Sequence, residues 1–183
     1  SFMHGMGYCQ SIENGMKLQI PRRAEYLRVI WAELSRVHSH LLWLGLLADA
    51  FGFESLFMHS WRLREKILDI FEATTGGRVI FSVCKVGGVR KDMDQATLQG
   101  IVRTLTDMEA EMKELTDVFV GDYTVKSRLV GVGRMSYQEA HDLGACGPMG
   151  RASGLHQDMR LLGYAAYDEL DFEPCVETAG DSY

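Results

Sequence analysis

Leu27, Ile30, Leu34, Val37, Leu41, Leu44 and Ala48 recur at alternating spacings of three and four. That spacing puts them on one stripe of a helix. The predicted element runs from Pro21, a residue tolerated at a helix start, to Phe51, just before the stop signal Gly52. At 1.5 Å per residue it is a rod of roughly 45 Å. Leu98, Ile101, Leu105, Met108, Met112, Leu115 and Phe119 repeat the pattern and predict a second long helix over 95–120. Between them, Leu56, Phe57, Trp61, Ile67 and Phe71 predict a helix over 55–75, stopped by Gly76-Gly77. A shorter helix is expected over 4–16, with Ile12 and Met16 on its apolar face. Val79–Val83 is β-prone, and residues 86–92 read as a glycine loop. Matching stripes and short connections imply a mainly α fold, an elongated helical bundle with small β elements.

Beyond Gly121 the pattern changes. Leu129-Val130-Gly131-Val132-Gly133 is glycine-rich and β-prone. Ser136 followed by Glu139 is a capping box and predicts a short helix. Residues 144–154 hold four glycines and Pro148, so a loop with close backbone approaches is expected. Residues 164–183 show no period. The whole reads as one domain over 1–183, a helical core over 1–120 with a mixed, loop-rich extension over 121–183.

Composition narrows the function classes. The 183 residues are 46% hydrophobic and 24% charged, with a net charge of -6. An acidic chain does not suit a nucleic-acid partner. The longest apolar run, Leu41–Ala48, is too short to span a bilayer. Cys9, Cys84, Cys146 and Cys175 form no C-x-x-C pair and read as reduced, mostly buried thiols. The chain opens at Ser1-Phe2-Met3-His4 and closes at Asp181-Ser182-Tyr183, without tapering tails. It is therefore expected to be an internal piece of a longer polypeptide.

Few residues stand out chemically. His38 and His40 lie at i and i+2, about 200° apart on a helix, and do not form a metal pair. Glu33, Arg36 and His40 share a face and are candidates for a proton path or a partner contact, with the ion-pair cluster as the simpler reading. Arg62 with Glu65 and Lys66 with Asp69 are expected surface pairs. Gly87-Gly88 lacks the lysine-serine ending of a phosphate loop. Read from these residues alone, the chain is a helical scaffold with no complete active site.

An ordered series of blocks carries a resemblance. It comprises Pro21-Arg22-Arg23-Ala24-Glu25-Tyr26-Leu27-Arg28, Ser39-His40-Leu41-Leu42-Trp43-Leu44-Gly45, Arg64-Glu65, Gly87-Gly88-Val89-Arg90, Arg151-Ala152-Ser153-Gly154 and Tyr164-Ala165-Ala166-Tyr167-Asp168-Glu169. In this order the chain resembles the large subunit of energy-converting, membrane-bound [NiFe] hydrogenases. That family shares its architecture with the 49 kDa component of respiratory complex I, an NADH-quinone oxidoreductase. The resemblance covers nearly the whole chain. It implies a ferredoxin-linked enzyme that interconverts protons and dihydrogen, peripheral on the inner, cytoplasmic face of the membrane. Its partners would be an iron–sulfur small subunit and membrane subunits. The alternatives are a quinone-site subunit of the complex I type and a purely structural assembly module.

The family holds nickel and iron with two C-x-x-C pairs, and neither is present here. The implied [NiFe] centre therefore belongs to the full-length protein, no cofactor or metal is expected within this chain, and the chain by itself is expected to be inactive. By its offset from the first cysteine pair, His4 resembles the histidine that hydrogen-bonds a bridging cysteine thiolate. Gly87, Gly88 and Arg90 resemble the loop that faces the small subunit. Arg28, Glu33, Arg36 and His40 become candidates for proton transfer or charge coupling.

Overall fold

A computed structural model describes residues 2–183. In chain order the elements are α1 (Phe2–Met16), α2 (Arg22–Ala50), α3 (Glu54–Thr75), β1 (Cys84–Lys85), β2 (Gly88–Val89), α4 (Gln95–Gly121), α5 (Tyr123–Leu129), α6 (Tyr137–Asp142) and α7 (Pro148–Ala152). The fold is mainly α, with one small antiparallel hairpin that pairs Cys84 with Val89 and Lys85 with Gly88. The chain divides into two compact units, Ser1–Thr116 and Asp117–Tyr183, and the boundary falls within α4.

In the first unit, α2 and α3 pack antiparallel. Two hydrogen bonds fix their register. The Trp31 Nε1–H donates to Thr74 Oγ1 at 3.1 Å, and the Ser60 hydroxyl donates to the Leu41 carbonyl at 2.6 Å. Trp31, Ala32, Leu63 and Ile67 are fully buried between them. Gly45 is required here, because a Cβ would stand 2.7 Å from the Trp61 ring. The expected α2 stripe is the buried or half-buried side of the helix, and so is the α4 stripe. Gly52 and Gly76 both take positive φ just past α2 and α3, which accounts for the two stops.

The surface ion pairs are rearranged relative to the sequence expectation. Arg62 and Lys66 both turn to Glu111 on α4, at 3.2 and 2.7 Å. Glu65 and Asp69 turn instead to Arg78, beyond the end of α3. Spacing within one helix cannot reveal a neighbouring element that offers a better partner.

Other local expectations are also corrected. The buried side of α1 is Phe2, Met6, Cys9 and Glu13, whereas Met16 is exposed. A carboxylate completes that stripe because α2 supplies its counter-charge. Val79–Val83 forms no strand; pairing begins one residue later, where Gly87 and Gly88 permit a tight turn. Residues 123–129 form α5, capped by Asp122 accepting from the Val125 N–H at 3.0 Å, and the following glycines form a turn rather than a strand. Within residues 144–154 a short helix, α7, interrupts the expected loop. The close approach is real, since a Cβ on Gly150 would meet the Ala145 carbonyl oxygen at 2.6 Å. The Ser136–Glu139 capping box opens α6. Of the cysteines, Cys9 is buried and Cys84 half-buried, but Cys146 and Cys175 are exposed.

The second unit is stitched by its C-terminal segment. The Gly180 N–H donates to the Ala152 carbonyl and the Gly180 carbonyl accepts from the Met135 N–H, both at 2.8 Å. The Tyr183 hydroxyl reaches the Val120 carbonyl at 2.6 Å. Asp158, nearly buried, accepts from the Arg160 backbone N–H at 2.9 Å and from its guanidinium at 2.8 and 3.0 Å. Arg160 in turn lies over the Phe172 ring at 4.5 Å. These bonds hold the Asp158 carboxyl at about 2, below its ordinary value. A depressed carboxylate stabilises the fold above its unfolded value of about 3.9 and loses that contribution as pH falls towards the folded value. Acid titration of the second unit is therefore expected to show a stability loss between about pH 4 and pH 2. Asp158→Asn should remove that component, and an unchanged acid profile in the variant would refute the assignment.

Candidate functional site

The most ordered polar arrangement in the first unit lies where α1, α2 and the hairpin meet. Arg28 is fully buried and Glu13 nearly so. The Arg28 guanidinium donates to both Glu13 carboxylate oxygens, at 2.7 and 2.8 Å. The same Nη2 also donates to the Gly88 carbonyl at 2.9 Å and the Lys85 carbonyl at 3.0 Å. Glu13 Oε1 accepts from the Gly87 N–H at 2.9 Å. The bidentate pair thus clamps both strands of the hairpin turn to two helices. Arg28 holds the Glu13 carboxyl below its usual range, outweighing the burial that pushes it up.

The clamp positions the glycine loop. Gly87 and Gly88 have φ of 88° and 149°, values that exclude ordinary side chains. Gly88 is buried against Ala24 of α2, and its carbonyl turns to Arg28. Beside it is an open cavity of about 390 Å³, lined by Pro21, Arg23, Gly87, Arg90 and Asp92 among others. Arg23 and Asp92 pair across it at 2.8 Å. Arg90 is exposed, and its backbone N–H donates to the Val83 carbonyl at 2.8 Å.

A second site is a cleft of about 620 Å³ between α1, the middle of α2 and residues 79–81. His4, Arg36, His38 and His40 all line it. Arg36 pairs with Glu33 at 3.1 Å on the same helix. The structure therefore brings together His4, Arg36 and His40, with Glu33 alongside. It does not bring Arg28 to them, because Arg28 is spent on Glu13 and the hairpin. A single line of coupled charges along α2 is not what forms.

His38 is half-buried and His40 exposed, as an i and i+2 pair on a half-packed helix should be. The His38 ring meets Phe71 edge-on at 5.9 Å. Burial, and then the nearby positive charge of Arg64, push the imidazole down to about 4. His38 is consequently neutral near pH 7. Among the described residues, no three His, Cys, Asp or Glu side chains converge as a metal-ligand set. The residues present do not fit a nickel–iron centre, and no reaction step can be derived through one here.

Glu13 is the residue that sequence reasoning did not single out, and Arg64 entered it only as part of a family block. Glu13 has no local signal, since a lone acid on a weakly amphipathic, glycine-bearing helix reads as surface. Its only clue is its place four residues after Cys9 on the stripe that also holds Phe2 and Met6.

The comparisons with known proteins agree in kind. Residues 50–183 match the family described as respiratory-chain NADH dehydrogenase, 49 Kd subunit. The chain is 40% identical over 176 residues to the C/D component of the NADH-quinone oxidoreductase of Phocaeicola vulgatus, covering 96% of the chain and 34% of that protein. It is 37% identical over 177 residues to the D component of the F(420)H(2) dehydrogenase of Methanosarcina mazei, covering 96% of the chain and 47% of the relative. It is 36% identical over 177 residues to the membrane-bound hydrogenase subunit alpha of Pyrococcus furiosus, covering 95% of the chain and 41% of the relative. The chain thus spans between about a third and a half of the length of these relatives. Among the described residues, no helix is long and apolar enough to cross a membrane. With nearly three-quarters of its length in that match, the chain belongs to the family of the 49 kDa subunit of respiratory-chain NADH dehydrogenase, and its similarity extends to a membrane-bound hydrogenase.

Proposed function

We propose that this chain is the helical heart of the large subunit of a membrane-associated oxidoreductase, and that the full protein is a ferredoxin-linked, energy-converting [NiFe] hydrogenase. The observation that carries the reading is the clamp of Arg28 and Glu13 on Gly87 and Gly88. It fixes a glycine loop rigidly beside an open cavity, as a docking surface for a cluster-bearing partner requires. In this reading the loop, with Arg90 exposed at its edge, faces an iron–sulfur small subunit, and the complex lies on the inner membrane face. The metal would be held by cysteine pairs outside these residues and would supply the redox and Lewis-acid chemistry when bound. His4 would hydrogen-bond a bridging thiolate, and Glu33, Arg36 and His40 would carry or tune protons beside it. The block His38-Ser39-His40-Leu41-Leu42-Trp43 and the similarity to a membrane-bound hydrogenase subunit support this branch.

The second reading is a quinone-reducing subunit, favoured by the family match and by the relatives named as quinone oxidoreductases. One experiment separates the two. The intact complex is purified and assayed for hydrogen evolution from reduced ferredoxin and for quinone reduction. Hydrogen evolution with stoichiometric nickel is the expected result. Quinone reduction without nickel would replace the hydrogenase reading with the second.

A further inference from the structure

The surroundings of the glycine loop carry a charge opposite in sign to that of the chain as a whole. The chain has a net charge of -6. The cavity beside the loop is nonetheless lined by four cations, Arg23, Lys85, Arg90 and Lys91, and, among the described residues, by one carboxylate, Asp92. Asp92 is already taken by Arg23. Two further carboxylates, close to the loop in space or in sequence, are also engaged. Glu13 is spent on Arg28, and Asp94 caps α4 by accepting from the Thr97 N–H at 2.8 Å. Lys85, Arg90 and Lys91 are exposed, and none of them has a carboxylate partner among the described residues. Like charges gathered on a rigid turn attract a negative surface and set the orientation in which it docks.

The same surface has an apolar centre. α1 ends with Lys17 in the left-handed region, at a φ of 54°. The Leu18 N–H then donates back to the Glu13 carbonyl at 2.8 Å, which closes the helix end. This turn brings Leu18 to the hairpin, where a Cβ on Gly87 would stand 3.7 Å from the Leu18 Cδ2. Leu18 is 40% exposed and Val86 38% exposed. An apolar centre with a charged rim is the anatomy of a protein–protein contact. A free phosphate would engage the cations and leave Leu18 and Val86 in water. A lipid surface is planar, whereas these cations line a concavity that a protruding side chain can enter.

We propose, resting on the reading above in which this loop faces the iron–sulfur small subunit, that this subunit meets the loop with an acidic edge. Its carboxylates pair with Lys85, Arg90 and Lys91, and an apolar residue between them covers Leu18 and Val86. The clamp of Glu13 and Arg28 holds the turn in place beforehand, so little order is lost when the edge docks.

The test uses the intact complex. A water-soluble carbodiimide joins a lysine amine to a carboxylate in direct contact, with loss of water, and the joined peptides are sequenced by mass spectrometry. The expected product links Lys85 or Lys91 to an Asp or Glu of the iron–sulfur subunit. Lys85→Glu combined with Lys91→Glu in the full-length subunit is expected to weaken retention of that subunit by about tenfold or more and to flatten its salt dependence. Both side chains are exposed, so the reversal reads the surface and not the core. Arg103→Glu, an exposed site that does not line this cavity, should leave retention unchanged. A bis-amine-reactive reagent that reaches the iron–sulfur subunit from Lys85 or Lys91, with no carbodiimide product and no effect of the reversal, would keep the docking reading and overturn the acidic contact. Products of neither reagent with that subunit would overturn both. Release of the assembled complex from anionic membranes by the reversal, with its subunits still together, would assign the cations to lipid and overturn the proposal.

Discussion

Glu13→Ala is expected to destabilise the first unit by about 3–5 kcal/mol, the range for removing one partner of a buried ion pair. The variant leaves Arg28, fully buried, with only two carbonyl acceptors for its charge. It also strips the Gly87 N–H of its acceptor. The double variant Glu13→Leu with Arg28→Met is expected to regain much of that loss, because neither charge then needs solvation. Equilibrium denaturation of the single and double variants checks this. A single variant within about 0.5 kcal/mol of the parent would show the clamp to be idle. The pair also imposes a direction on acid unfolding. Glu13 titrates below its ordinary value in the fold, so its contribution is complete above an unfolded pKa of about 4.3 and fades as pH drops through the lower folded value. Glu13→Gln should flatten that part of the acid limb.

Gly180→Ala is expected to disrupt the second unit comparably, by about 3 kcal/mol or more, from left-handed strain together with steric overlap. Gly180 has a φ of 67°, and an added Cβ would stand 2.2 Å from the Met135 carbonyl oxygen. The clash is with backbone, so no side-chain rotation relieves it. Relief requires parting the bonds that Gly180 makes to Met135 and Ala152, which close the unit. Near-ultraviolet circular dichroism should show loss of the environment around Tyr164, Tyr167 and Phe172, while far-ultraviolet helix content stays near the parent value. A variant with the parent's melting temperature would refute the role assigned to this crossing.

Much of the first unit was legible because its helices are long and periodic. The α2 and α4 stripes each hold seven apolar positions, which averages out local accidents, and proline or glycine marks the ends of α2 and α3. The β-prone run over 79–83 missed the hairpin that forms just after it, because that pairing is set by two glycines and by a remote arginine, not by β propensity. The second unit was least legible. Its order comes from single contacts of Asp158 with Arg160 and of Gly180 with Met135, which leave no periodic trace. Among the site residues, the shared face of Arg36 and His40 followed from helical spacing, with His4 joining them through packing of α1. Arg28 could not be separated from them by sequence, since its partner Glu13 lies fifteen positions away on another helix.

The clamp also orders events in time. Glu13 and Arg28 are fifteen residues apart, but Arg28 and Gly88 are sixty apart. The shorter loop closes at lower entropic cost, so the helix pair can form its ion pair first. Until it does, the hairpin has no anchor for its two carbonyls and its Gly87 amide. The glycine loop is thus a late arrival that reports whether the helices beneath it have assembled correctly. A protein that docks on that loop would accordingly select chains whose first two helices are already in place.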